Sequence, residues 1–353
     1  MSRFINDKYA SLDAYTPGEQ PQDKKYIKLN TNESPYPPSP ETIKAVSEAE
    51  VSSLNLYSDP VCRELKETIA KRYDLNSENI FVSNGSDDIL NFAFMAFGKK
   101  VAFPDITYGF YSVFASLHGC EATVVPLRED FSLCADDYMN NNSMVVIANP
   151  NAPTGMVLPL SDIEKIVNGN PDYVVLVDEA YIDFGGESAL SLVKKYDNLL
   201  VVRTFSKSRS LAGARLGFAM GNANLISDLE KIKYSTNPYS INRLTNRAGI
   251  AAIKSDDYYM EKCSLVKDAR EYTASELKKL GFCILPSSAN FIFAKKEGLD
   301  GEKFYLSLKD RGVLVRHFTS PRIKDFNRIT IGTREQMEKF IEITKDILRS
   351  ENI

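Results

Sequence analysis

Apolar residues along this chain fall into two rhythms, and their alternation predicts the fold. The runs at 144–148 (MVVIA) and 173–177 (YVVLV) are apolar throughout, without the every-other-residue alternation of a half-buried strand. Such runs suit strands buried on both faces of a parallel sheet. Shorter β-type runs at 79–82, 101–103, 122–125, 199–202 and 216–220 are interspersed with segments of helical spacing, among them 61–73 and the stretch from SNGSDD to Phe97. This strand–helix alternation predicts an α/β architecture, a mostly parallel sheet with helices on both faces.

The rhythm changes at both ends. Residues 1 to about 40 lack periodicity and carry Pro17, Pro21, Pro35, Pro37, Pro38 and Pro40. That composition predicts an extended arm with a short strand near 27–29. Tyr15, Tyr26, Ile27 and Tyr36 predict that the arm is laid across another surface. Beyond about residue 235, NPYSIN (237–242) opens an Ala-rich helical stretch, and 256–280 reads as one long amphipathic helix. Strands near Cys283, Phe291, Val313 and Arg328 and a final helix from Arg334 predict a smaller α+β domain. The expected division is an arm at 1–40 packed with the small domain, a large domain at 41–240 and a small C-terminal domain at 241–353.

Composition narrows the class. A chain of 353 residues exceeds one typical core. A net charge of -4 and the lack of a long basic run argue against nucleic acid as the main partner. Five cysteines without a CxxC pair suggest reduced thiols in a cytosolic protein. With only His118 and His317, a histidine-based zinc site is not expected. The segment MSRFINDKYA lacks the apolar core of a signal peptide, and no run is long enough to span a bilayer. The expected class is a soluble, cytoplasmic enzyme.

Candidate chemistry lies in four stretches. VVRTFSKSRSLAGARLGFAMG (201–221) sets Lys207 on a short turn between two apolar runs, where burial and cationic neighbours would depress an amine's pKa and make it a Schiff-base nucleophile. SNGSDD (83–88) puts Gly85, Ser86 and Asp87 between a strand end and a helix start, where unpaired N–H groups favour an anion. NPNAPTG (149–155) is a rigid loop after a buried strand, where α/β proteins bind ligands. In VVLVDEAYIDF (174–184), Asp178 ends an apolar run and needs a partner, such as a pyridinium N–H. Taken singly, each has an ordinary reading: a surface lysine, a helix cap, a turn and a capping aspartate.

In this order, SNGSDD, NPNAPTG, DEAY and TFSKSRSLAGARLG resemble the signature of class I and II pyridoxal-phosphate aminotransferases, of fold type I. YTPGEQP (15–21), KLNTNESPYPPSP (28–40), LYSDP (56–60), LPSSANFIF (285–293), GVLVR (312–316) and RITIGTRE (328–335) resemble the histidinol-phosphate aminotransferase branch. The resemblance implies pyridoxal 5'-phosphate held by Lys207, which would then move the proton between the substrate Cα and the cofactor. It implies that Asp178 keeps the ring nitrogen protonated, Tyr181 binds the phenolic oxygen and Tyr108 stacks on the ring. Gly85, the backbone amides of Ser86 and Asp87, Ser206 and Arg215 would hold the phosphate. Tyr57 would reach the cofactor of a neighbouring subunit, making a homodimer. Arg328, assisted by Arg316 and Tyr15, would clamp the substrate anion, with Asn32 also on the substrate side. Without the resemblance, Arg316, Arg328 and Tyr15 read as surface charge or packing.

Two positions depart from the family pattern. Ala152 stands where an asparagine contacting the ring oxygen is expected, so either Asn151 substitutes or Tyr181 acts alone. Arg209 stands where an aromatic is usual, with its orientation open. The implied reaction is transamination between glutamate and imidazole-acetol phosphate, small molecules both. A threonine-phosphate decarboxylase-like lyase and an aromatic amino-acid aminotransferase are the alternatives. A non-catalytic regulator on this fold would be expected to carry an added DNA-binding domain.

Overall fold

The computed structural model describes residues 9, 12, 13 and 15–350, apart from the side chains of 48 and 49. Most of MSRFINDKYA therefore lies outside the described residues. The strands in chain order are β1 (Ile27–Lys28), β2 (Ile80–Ser83), β3 (Lys100–Pro104), β4 (Glu121–Val125), β5 (Met144–Ala148), β6 (Val175–Asp178), β7 (Leu199–Thr204) and β8 (Gly217–Gly221). Then follow β9 (Phe282–Ile284), β10 (Phe291–Lys296), β11 (Val313–Leu314), β12 (Arg316–His317) and β13 (Asn327–Thr330).

Seven strands form the main sheet, in the order β2-β8-β7-β6-β5-β3-β4. Every pair is parallel except those made by β8, which runs against both β2 and β7. The continuous apolar runs have a direct cause in the packing. Val145, Ile147, Val175, Val177, Leu199 and Val201 enter one core, beneath helices Arg63–Arg72, Leu160–Asn168 and Arg243–Lys254. Their alternates Met144, Val146, Leu176, Leu200 and Val202 enter a second, beneath helices Ser86–Phe97, Phe110–His118 and Ala223–Thr236. Successive side chains point to opposite faces, so a strand covered on both sides has no polar position to spare.

A second, antiparallel sheet has the order β12-β13-β10-β9. Helices Gly301–Asp310 and Arg334–Ser350 bury Phe304, Phe340 and Ile347 with Phe291 and Ile329 of this sheet. The arm is tied to the same unit. Its β1 pairs in parallel with β11, and Leu29 enters that core.

Helix Asp256–Lys279, at 24 residues and about 36 Å, joins the two units. Tyr259 near its start lies in the first core of the large sheet, and Cys263 one turn later lies in the core of the small one. Ala248, Ile250, Ala252 and Ile253 of the preceding helix also belong to the large unit. We therefore propose that the units divide within the long helix near Met260 instead of at 240/241.

Candidate active site

Four loops that the sequence singles out leave the same edge of the large sheet. Asp178 ends β6, Asn149–Gly155 follows β5, Gly85–Ser86 follows β2, and Lys207 follows β7. In a mostly parallel sheet the carboxyl ends of the strands carry the ligand crevice. That crevice has two connected chambers, of about 460 and 320 Å³. Thr31, Tyr108, Ala152, Tyr181 and Lys207 line both.

Lys207 stands at their junction. Its Nζ donates to the Thr31 carbonyl at 3.2 Å and lies 5.8 Å from the centre of the Tyr181 ring. Enclosure by protein, reinforced by the cation of Arg328, lowers its pKa to about 8. Asp178 is almost fully buried, and burial pushes its carboxyl up to about 6. The Tyr111 hydroxyl, donating to Oδ2 at 2.9 Å, and the Ala180 N–H, donating to Oδ1 at 3.2 Å, oppose that rise.

The first chamber ends at the start of helix Ser86–Phe97. Gly85 there takes φ +89°, a left-handed conformation open to glycine. Arg215 closes this end, donating to Ser206 Oγ at 3.3 Å and to Asp87 Oδ2 at 3.1 Å. Tyr108 donates to the other Asp87 oxygen at 2.7 Å, so the Asp87 side chain fixes both neighbours. Burial and the Asp87 charge raise the Tyr108 pKa, keeping the phenol protonated.

The second chamber holds Tyr15, Arg316 and Arg328. Arg316 and Arg328 are directly opposed across β12 and β13. Like charges in that register repel. Arg316 donates only to the carbonyls of Thr16 and Pro17, and Arg328 donates to that of Asn30. The Arg328 Nε is buried without a partner, and burial lowers the guanidinium's pKa. Among the described residues neither arginine has an ion-pair partner. Tyr15 stacks on Phe110 at 4.1 Å beside them.

Asn151 and Asn32 depart from their expected roles, while Arg209 and Tyr57 gain a position. Asn151 does not line either chamber; its amide accepts from Thr107 and donates to the Ile106 carbonyl and to Thr154, which commits it to holding the loop. Asn32 lines the second chamber, but its amide donates to the Tyr181 hydroxyl at 3.0 Å and accepts from Thr330 at 2.9 Å. These two bonds fix the amide and use it to orient Tyr181. Arg209 faces away from the cleft, buried, with Asp256 at 2.5 Å and the Tyr259 ring below it. Tyr57 is apart from the cleft of its own chain, 80% exposed and stacked on Tyr239 at 4.5 Å. Sequence reasoning missed Tyr111, whose only signal is its spacing of three from Tyr108 in TYGFY.

Pyridoxal phosphate fits these residues. Among the described residues Asp178 pairs with no cation, a place a pyridinium would take, and the helix start with Ser206 and Arg215 supplies donors for a phosphate. A buried amine of lowered pKa suits a carbonyl partner. Fold and site together thus describe a lysine-dependent enzyme of amino and carbonyl compounds that carry an anionic group.

Residues 24–343 match the family of class I and II aminotransferases, and the chain belongs to that family. A histidinol-phosphate aminotransferase of Brachyspira hyodysenteriae is 54% identical, over 99% of this chain and 100% of its own length. One from Clostridium acetobutylicum is 48% identical, over 99% of this chain and 100% of its own. Among solved structures, the histidinol-phosphate aminotransferase of Sinorhizobium meliloti in complex with pyridoxal-5'-phosphate shares the fold, with a TM-score of 0.87, 23% identity and 99% of each chain covered.

Proposed function

We propose that this aminotransferase uses pyridoxal phosphate to move an amino group from glutamate to imidazole-acetol phosphate, giving histidinol phosphate and 2-oxoglutarate. The observation that carries the reading is the Arg316–Arg328 pair, opposed across two strands without an acidic partner and open to the chamber that Lys207 shares. Both substrates bear an anion, and one guanidinium pair serves each in turn. The near full-length relatives supply the phosphorylated substrate.

When bound, the cofactor supplies an electron-poor ring that takes up the negative charge left at the substrate Cα. The chain's own residues do the rest. Neutral Lys207 would take the proton from the substrate Cα and deliver it to the cofactor carbon on the other side of the amino nitrogen, a transfer suited to an amine whose pKa is lowered to about 8. Asp178 accepts the ring N–H. Tyr181 accepts from Asn32 and so turns its own proton toward the phenolic oxygen. Ser206, Arg215 and the amides of Ser86 and Asp87 bind the phosphate, while Tyr108 covers the ring.

A homodimer is part of the proposal. Leu54, Leu56, Tyr57 and Val61, close in the chain, and Tyr239, stacked on Tyr57, are exposed apolar residues that a second copy would cover, bringing Tyr57 to the partner's cofactor. A chain with five cysteines, an odd count without a CxxC pair, suits a reducing, cytoplasmic setting. The test is incubation of the purified protein with histidinol phosphate and 2-oxoglutarate. Stoichiometric glutamate is expected, together with loss of the cofactor's near-visible absorbance when histidinol phosphate is added alone. Carbon dioxide released from threonine phosphate, or faster turnover of aromatic amino acids, would replace this reading with one of its alternatives.

A further inference from the structure

Tyr111 belongs to none of the motifs that mark the site, and it lies outside the cleft. It projects from helix Phe110–His118 into the core on the far face of the large sheet, with no exposed surface. Its ring meets Phe103 and Tyr108 edge-on, at 6.1 and 5.8 Å between centroids. A phenylalanine would make the same contacts. The hydroxyl has one partner, Asp178 Oδ2 at 2.9 Å.

A buried carboxylate is costly unless donors surround it. The charges nearest Asp178, on Asp87 and Glu179, are both negative and favour its neutral form. Against them stand two protein donors, the Tyr111 hydroxyl and the Ala180 N–H. The amide is obligatory backbone; the phenol is a side-chain choice made by a separate helix. We propose that Tyr111 is a positioning residue that holds Asp178 ionised and aimed at the cofactor's ring nitrogen. The inference rests on the pyridoxal-phosphate reading. Through its edge contact with Tyr108, the same side chain also sets the ring that covers the cofactor, so the two roles must be separated by experiment.

A hydrogen bond to a buried charge is worth about 1.5–3 kcal/mol, so its loss corresponds to roughly tenfold or more in affinity. The full-length chain, freed of cofactor, is titrated with pyridoxal phosphate and with its 1-deaza analogue, in which a C–H replaces the ring nitrogen. Tyr111→Phe should bind pyridoxal phosphate roughly tenfold more weakly and the deaza analogue nearly as tightly as the unaltered chain does. In an Asp178→Asn background the same substitution should change neither affinity. Equal weakening for both ligands, or no weakening for either, overturns the proposal. An unaltered chain that binds neither ligand would instead remove the cofactor reading itself.

Discussion

Among the described residues the ammonium form of Lys207 has a single hydrogen-bond acceptor, the Thr31 carbonyl, while the carboxylate of Asp178 has two neutral donors. Enclosure therefore drives both groups toward neutrality, from opposite sides of the pH scale. For Asp178 the folded value of about 6 exceeds the ordinary 3.8, with Asp87 and Glu179 adding to burial. Between those values the folded chain binds more protons than the unfolded one, so stability falls as pH rises and the loss is complete above about 6. For the cofactor-free chain, Asp178→Asn should gain up to about 3 kcal/mol relative to the unaltered protein between pH 4 and pH 7. Urea midpoints at the two pH values measure this, and a constant difference would refute it. Lys207 titrates higher and does not disturb that window. At Arg328, substitution by Met should raise KM for the phosphorylated substrate about a hundredfold or more, through loss of a charge-assisted fork, and still show the spectrum of bound cofactor. Steady-state kinetics with a spectrum of each variant checks both halves. That Lys207, Asp178 and Tyr181 line one cleft is legible in the order of their motifs, since Asp178 closes an apolar run and the other two follow strand ends closely. Asn32, Asn151, Arg209 and Tyr111 are not, because their directions depend on Thr330, Thr107, Asp256 and Asp178, partners distant in the chain.

At the level of elements, β8 makes a strict demand for a small residue at Gly217. It crosses antiparallel between β2 and β7, and a Cβ on Gly217 would lie 2.5 Å from the Ser86 nitrogen and 2.6 Å from the Gly85 carbonyl carbon. Backbone cannot yield as a side-chain tip can. Gly217→Ala should cost about 1–3 kcal/mol of stability and weaken cofactor binding by shifting the helix start that faces the phosphate. Gly213, in the same motif, has open space where its Cβ would be. Gly213→Ala should therefore be close to neutral for stability, and thermal melts of both variants without cofactor would separate local crowding from a general intolerance of the motif. The strands were legible because two-sided burial leaves uninterrupted apolar runs. The direction of β8 was not, since FAM reads as an apolar run whichever way the strand is crossed. The division proposed near Met260 is hard to read in sequence for a related reason: the chain is helical almost without a break from 243 to 279, while the core it packs into changes at Met260.

For the whole molecule, the question is whether one chain completes its own site. Lys207, Asp178 and Arg215 share a cleft, but Tyr57 is 80% exposed and stacked on Tyr239 outside it. Ser58 beside it donates to the Ile241 carbonyl at 2.6 Å, which pins the Tyr57 segment to the surface of the large unit. A tyrosine held there in an apolar group has two possible uses: covering the interface, or reaching across it to another chain's phosphate. Oligomeric mass alone does not tell these apart, because both give twice the 39.6 kDa of one chain. Mixing does. In a heterodimer of a Lys207→Ala chain and a Tyr57→Ala chain, crossing of Tyr57 makes one site doubly defective and leaves the other intact. Two inactive preparations, unfolded and refolded together, should then regain activity that neither has alone, with roughly half of the dimers mixed and one working site in each. If Tyr57 serves only its own chain or only seals the interface, every site in the mixture keeps a defect, and the activity stays at the sum of the two parents.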